Sequence, residues 1–238
     1  MTDLHLGEHI SQRFNQDLEA IRTSLLEMGG IVERQVADSV RALVEANSDV
    51  AHQVIRMEDE VDKREIQIDD ECTKILARRQ PAASDLRLVL AVSKINLDLE
   101  RVGDEASKIA EAAIALCEQG ESPRGYVEIR HIGHGVHKMI HDALDAFARF
   151  DVDLALRIMN DDKEIDREYA TALREMMTYM MEDPRSITRI MRIIWVLRSL
   201  ERIGDHARNI SEQVIYLVKG KDVRHISISD AKQKMSED

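Results

Sequence analysis

The word Glu-Arg-x-Gly-Asp occurs twice in this chain, inside LERVGDEASKIA at 99–110 and inside LERIGDHARNIS at 200–211, 101 positions apart. Internal duplication limits a fold strongly, because whatever the first copy adopts the second must be able to repeat. The agreement extends upstream. A shift of 104 positions sets ADSVRALVEANSDVA (37–51) over HDALDAFARFDVDLA (141–155), with Asp38 on Asp142, Leu43 on Phe147, Asp49 on Asp153 and Ala51 on Ala155. The same shift sets Glu58 on Asp162 and Asp62 on Asp166. The change of shift from 104 to 101 means three extra residues in the first copy, near RRQPAASD (78–85), which corresponds to MEDPRS (181–186). A period of about 100 residues is too long for a solenoid unit and suits a duplicated domain. The copies are read as 1–120 and 121–238.

Within each copy, breakers separate three helical stretches. The first copy runs Leu4 to Ala46, a turn at NSD, Val50 to Arg79, and a helix opened by Pro81 that reaches Cys117, with QGESPRG (119–125) closing the copy. The second runs Tyr126 to Phe150, a turn at DVD, Leu154 to Met181, and a last helix opened by Pro184 and stopped near Gly220. Aromatic residues make up only 3% of the chain, so β-branched and aromatic-rich strands are not expected. The predicted class is all-α, two pseudo-symmetric three-helix bundles whose short loops make neighbouring helices antiparallel.

Charge and cysteine content narrow the function. A formal net charge of −12 repels phosphate backbones and argues against nucleic acid as a partner. Cys72 and Cys117 do not make a disulfide framework, and MTDLHLGEHI lacks the charge and apolar run of a leader, so a cytoplasmic protein is expected. Apolar runs such as Leu88 to Val92 and Ile193 to Leu197 fall far short of the roughly 20 residues of a membrane span, so no membrane insertion is expected.

The chemistry-bearing residues are repeated carboxylates. Four Glu/Asp-x-x-x-Asp words stand at matching places: Glu58/Asp62, Glu100/Asp104, Asp162/Asp166 and Glu201/Asp205. Residues four apart share a helix face about 6 Å apart along the axis, and like charges there destabilise a helix by a few tenths of a kcal/mol unless neutralised. One such pair alone is more often a solvated acidic face. Here Glu100 and Asp104 continue the line of Leu86, Val89, Leu90 and Leu97, and Glu201 and Asp205 that of Ile187, Ile190 and Ile194, while Arg87, Lys94, Arg101, Glu105, Arg202 and His206 point elsewhere. Glu58/Asp62 and Asp162/Asp166 flank the apolar line of their own helices and are placed to face the third helix across a shallow groove. Four carboxylates from two facing helices make a hard oxygen site suited to Mg, Mn, Ca or Fe, one in each copy. Gly103 and Gly204, between the paired carboxylates, leave room for a close approach, since Gly inside a helix costs about 1 kcal/mol relative to Ala and needs a reason. Arg101 and Arg202 are expected to supply counter-charge. Asn209 adds an oxygen donor where the first copy has Lys108, so the two sites are not equivalent.

Other motifs carry less. His134, His137 and His141 share a helix face, with His131 before them, but the first copy places Gly30, Glu33 and Ala37 at the face positions, and surface histidines are the simpler reading. Diiron bundles use Glu-x-x-His on two helices, and only EIRH (128–131) fits. MMTYMM (176–181) reads as helix core. No Gly-rich phosphate loop, nucleophile elbow or Cys-x-x-Cys occurs.

The duplicated words, together with YLVKGKDVRH (216–225), QPAASDLR (80–87) and DALDAF (142–147), resemble the PhoU family of bacterial phosphate-signalling regulators, over about Phe14 to His225. The resemblance implies metal clusters, of Mg, Mn, Fe or Zn, held by Glu58, Asp62, Glu100, Asp104, Asp162, Asp166, Glu201 and Asp205, with Asn209 in the fuller second word. It implies a negative regulator, not an enzyme, that contacts a phosphate-response sensor histidine kinase and the ATP-binding subunit of the phosphate ABC transporter. A homodimer, cytoplasmic and beside the inner membrane only through its partners, is the expected form. The rival readings are a metal-dependent helical-bundle enzyme using the carboxylates and a plain helical scaffold.

Overall fold

The structure, a computed structural model, describes residues 12–118, 126–224, 226 and 230. The expected helix start at 4–11, the QGESPRG segment and most of the tail after His225 lie outside the described residues. Six long α-helices follow one another: α1 (Gln12–Val44), α2 (Ser48–Arg79), α3 (Ala83–Cys117), α4 (Tyr126–Arg149), α5 (Val152–Glu182) and α6 (Ile187–Lys219), the last entered through a 3-10 turn at Pro184–Ser186. No strand occurs among the described residues. The helices α1 to α3 form one bundle and α4 to α6 the other. The central helices α3 and α6 pack extensively on each other, and α1 touches α4. Both bundles thus share a single continuous apolar core.

The core follows from spacing. Along α1, Phe14, Leu18, Ile21, Leu25, Met28, Val32 and Val36 are buried in steps of three or four, the stripe of a core-facing helix. On α3 the buried line is Leu88, Val92, Ile95, Leu99, Val102, Ala106 and Ile109. Leu86 and Leu97 stand at its solvent edge, with Leu97 43% exposed, and Ile187 holds the same position on α6. The Glu/Asp words therefore continue a line that runs along the solvent margin of the apolar face.

The turns reproduce the duplication in atomic detail. Asn47 caps α2 by accepting from the Val50 N–H at 3.2 Å, and Asp151 caps α5 by accepting from the Leu154 N–H at 2.9 Å. One residue earlier, Ala46 (φ 51°) and Phe150 (φ 56°) take the left-handed conformation. Asn47 N–H then donates to Ala42 C=O at 2.8 Å and Asp151 N–H to Ala146 C=O at 2.9 Å, closing the same C-terminal motif on α1 and α4. Glycine usually serves there, so the left-handed residue is invisible to a search for glycine, whereas the caps behind it match the NSD and DVD signals. Gly220 (φ 67°) ends α6 as expected, its N–H donating to Tyr216 C=O at 2.8 Å. The three extra residues of the first copy are Gln80, Pro81 and Ala82, the link between α2 and α3. Pro81 thus precedes its helix by two residues, whereas Pro184 opens the 3-10 turn, capped by the Asp183 side chain.

Candidate metal centre: two carboxylate grooves

In the first copy Glu58, Asp62 and Glu65 lie on one face of α2, and Glu100, Asp104 and Ser107 on the facing side of α3. Glu58 is the most enclosed of these carboxylates. Its Oε2 accepts from Ser107 Oγ at 2.6 Å and from Gln35 Nε2 of α1 at 3.2 Å. Glu58 Oε1 and Gln35 Oε1 are buried without a hydrogen-bond partner. Gly103 makes the approach possible: a Cβ placed there would lie 3.2 Å from Gln35 Oε1 and 3.5 Å from both Glu58 oxygens. Burial raises the Glu58 pKa above the usual carboxylate value, with Asp104 and Asp62 adding repulsion and the Ser107 and Gln35 bonds opposing it. Glu100 is raised by burial and by the charges of Asp104, Glu65, Asp62 and Glu58, and Glu65 by burial, Asp69 and Asp62.

In the second copy α5 supplies Asp162 and Asp166, and α6 supplies Glu201 and Asp205. Gly204 again admits the opposing carboxylate, with Asp162 Oδ1 3.6 Å from a Cβ placed there. Burial pushes Asp162 up to about 6, helped by Asp166 and Asp205 and opposed by Arg208. Burial also raises Glu201 and Asp205, each further raised by carboxylates of the same group. Two arginines belong to this groove. Arg208 reaches Asp162 at 3.5 Å and Glu212 at 3.3 Å, and Arg198 reaches Glu201 at 2.8 Å. Glu201 Oε2 is buried and unpartnered.

The eight carboxylates named from sequence thus gather into two grooves, α2/α3 and α5/α6. Other expectations change. Asn209 Nδ2 donates to Asp98 Oδ1 of α3 at 3.2 Å, which turns its amide to the contact between the halves. Of the two arginines expected to supply counter-charge, Arg101 is exposed and Arg202 pairs with Glu105 of the other half at 2.6 Å, and Lys108 pairs with that same carboxylate at 3.0 Å. Glu105 and His206, read as pointing away from the core, are buried at the α3–α6 seam, where His206 Nδ1 lies 2.8 Å from Asp98 Oδ1. The cause is shared: α3 and α6 each pack on two sides, so a face opposite one apolar stripe meets the other half instead of water. The histidines of α4 hold surface pairs, His137 and His141 with Glu33 at 3.6 and 3.0 Å, and His131 with Glu168 at 3.0 Å. Of MMTYMM, Met176 is core, whereas Met177 and Met181 are exposed.

Among the described residues no three His, Cys, Asp or Glu side chains are drawn together tightly enough to hold an ion as they stand. Carboxylates set about 6 Å apart on a helix repel one another, and the raised pKa values record that repulsion together with burial. The donor chemistry nonetheless fits a hard cation. The ligands are oxygens, two buried oxygens of the first groove lack partners, and Gly103 keeps open the space that a methyl group would fill.

Sequence reasoning missed Gln35, Glu65, Ser107, Arg198 and Arg208. Helical spacing could have found four of them: Glu65 follows Asp62 by three, Ser107 follows Asp104 by three, Arg208 follows Asp205 by three, and Arg198 precedes Glu201 by three. Gln35 required the packing of α1 against the other two helices.

The family model described as "PhoU domain" matches residues 25–113 and again 129–214. The phosphate-specific transport system accessory protein PhoU homolog of Pseudomonas aeruginosa is 64% identical over 230 residues, 97% of this chain and 95% of that protein. The phosphate-specific transport system accessory protein PhoU of Escherichia coli is 46% identical over 226 residues, 95% of this chain and 93% of that protein. The crystal structure of PhoU from Pseudomonas aeruginosa superposes with a TM-score of 0.86 at 65% identity, covering 87% of this chain and 100% of that one. The phosphate transport system regulatory protein PhoU from Streptococcus pneumoniae gives 0.81 at 28% identity, covering 88% and 99%.

Proposed function

The chain belongs to the PhoU family, and on that premise we propose that it is an accessory regulator of phosphate uptake that represses the phosphate-starvation response when phosphate is plentiful. It acts through contacts with a sensor histidine kinase and the ATP-binding subunit of the phosphate transporter, as a cytoplasmic homodimer and without catalysis of its own. Contact that favours one state of the kinase over another is sufficient, because a partner shifts an equilibrium by its differential affinity for the two states. The observation that carries the reading is full-length similarity: 97% of this chain aligns at 64% identity with a protein named for its accessory role in phosphate-specific transport. Among the described residues no helix is long and apolar enough to cross a membrane, which is consistent with a protein that reaches the transporter from outside the bilayer.

The carboxylate grooves are proposed to hold divalent or iron-type cations that tune those contacts. Glu58, Asp62, Glu100 and Asp104 would hold them in the first groove, and Asp162, Asp166, Glu201 and Asp205 in the second. A bound cation supplies positive charge to surfaces that are otherwise strongly acidic, which changes what those surfaces attract.

Co-precipitation of the purified chain with the kinase and with the transporter ATPase tests the reading, with and without chelator and beside the variant Glu201→Ala/Asp205→Ala. Binding that weakens in chelator and in the variant supports a cation-tuned regulator. Binding unchanged by both leaves the partners in place and removes the cations from the mechanism, and absence of binding to either partner overturns the assignment.

A further inference from the structure

The two grooves are equivalent by duplication and unequal in charge, and the inequality rests on three aligned positions. Ser107 aligns with Arg208, Leu97 with Arg198, and Glu65 with Tyr169. The first groove accordingly holds five carboxylates, Glu58, Asp62, Glu65, Glu100 and Asp104. The groups that shift its Glu58, Glu65 and Glu100 are other carboxylates and the neutral donors Ser107 and Gln35, with no basic side chain among them. The second holds four carboxylates together with two guanidinium groups, Arg208 at 3.5 Å from Asp162 and shared with the buried Glu212 at 3.3 Å, and Arg198 at 2.8 Å from Glu201. The neutral donors differ as well. Gln35, fully buried, donates to Glu58 and to Val54 C=O and keeps its Oε1 unpartnered beside the Gly103 gap, whereas its counterpart is the apolar Met139. An unpartnered buried amide oxygen costs free energy that a bound cation would recover.

We propose that the grooves divide the work: the first is the high-affinity site for a hard divalent cation, with the Gln35 amide oxygen among its donors, and in the second Arg208 and Arg198 stand in for the cation. This inverts the expectation set by Asn209 and Lys108, since both of those side chains are engaged at the α3–α6 seam. It rests on the reading that the grooves bind cations, and it adds which groove does so and which residues decide it. A guanidinium within a few ångströms repels a divalent ion and occupies the same carboxylate oxygens, so its removal frees ligands as well as charge.

The test uses the full chain, freed of metal by chelation and titrated with Mn²⁺, with free ion followed by electron paramagnetic resonance and helicity by circular dichroism. The unsubstituted chain is expected to show one tight class of sites, weakened at least tenfold by Glu58→Gln/Glu100→Gln or by Gln35→Leu. Asp162→Asn/Glu201→Gln should leave that class within twofold. Arg208→Ser should add a second tight class, and Ser107→Arg should weaken the first at least tenfold. Arg208→Ser keeps the test decisive if Ser107→Arg fails to fold, because it requires a gain. Equal loss from the two carboxylate pairs, or no gain with Arg208→Ser, overturns the proposal while leaving cation binding itself intact. No Mn²⁺ binding in the unsubstituted chain overturns both, and the partner contacts are read separately by co-precipitation.

Discussion

At the scale of single residues, the buried carboxylates and the glycines beside them set the local energetics. Asp162 has a native pKa of about 6 against 3.8 for the free side chain, so between those values the folded chain holds a proton that the unfolded chain has released. Stability from this group is therefore fully present below about pH 4 and is lost as pH rises through about 6. Asp162→Asn should make the metal-free protein more stable by at most about 3 kcal/mol at about pH 8, shrinking to about 1 kcal/mol near pH 4.5. Urea unfolding of both forms at the two pH values reads the difference, and a gap that widens on acidification would refute the sign. The glycines make a second contrast. At Gly204 the nearest atoms to an added Cβ lie 3.6 Å away, an ordinary contact, so Gly204→Ala should gain up to about 1 kcal/mol from helix propensity. At Gly103 the Gln35 oxygen lies at 3.2 Å, so the same substitution must displace an amide held by two hydrogen bonds and should gain less or lose. Thermal melts of the two variants, side by side, rank them. The sequence placed both glycines between carboxylates and assigned them a close approach; a carboxylate of the neighbouring helix does come close at both, but at Gly103 the nearest group is the Gln35 amide oxygen of α1.

At the scale of helices, the crossing of α1 and α4 shows what the duplication requires of its small residues. Gly29 and Gly133 are equivalent under the shift of 104, and each receives a side chain from the other half, Leu144 against Gly29 and Val40 against Gly133. A Cβ would meet Leu144 Cδ2 at 2.5 Å in one case and both Val40 methyls at 2.9 Å in the other. The end of a leucine can rotate away, whereas β-branched valine has one strongly preferred rotamer in a helix. Gly133→Ala should therefore cost about 1–3 kcal/mol through overpacking, and Gly29→Ala less, as compared by denaturant midpoints. Helix extents were legible in the sequence because caps, breakers and apolar spacing agree, as at Asn47, Asp151 and Gly220. The C-terminal turns were not, because Ala46 and Phe150 occupy left-handed positions without the residue type that usually marks them. The groove pairs were legible too, since i,i+4 spacing fixes a face; the arginines three residues away lie on the same faces and could have been read with them.

At the scale of the whole molecule, the least legible feature is the seam between the halves, because a repeat describes each copy and says nothing of how the copies meet. The seam is polar in a buried setting. Asp98 and His206 lie 2.8 Å apart, Asn209 joins Asp98, and Glu105 takes Arg202 and Lys108. Arginines extend the connection to helix ends: Arg192 of α6 donates to Ala115 C=O near the end of α3 at 3.0 Å, and Arg87 of α3 donates to Leu217 C=O near the end of α6 at 3.2 Å. These donors satisfy carbonyls left free in a last helical turn, so each half completes a helix terminus of the other. With a continuous apolar core beneath, neither half should open without the other. Asp98→Ala removes one partner from a buried pair and should lower global stability by about 3 kcal/mol. The decisive reading is where the loss falls. In native-state hydrogen exchange the most protected amides of α1–α3 and of α4–α6 should share one opening free energy and fall by the same increment, although the substitution lies in the first half. Protection in α4–α6 that stays at its original level would mean that the halves open independently, and a partner protein could then engage one bundle without affecting the other. A common increment would mean that a contact made on either face is felt across α3 and α6, as the proposed contacts with two partners require.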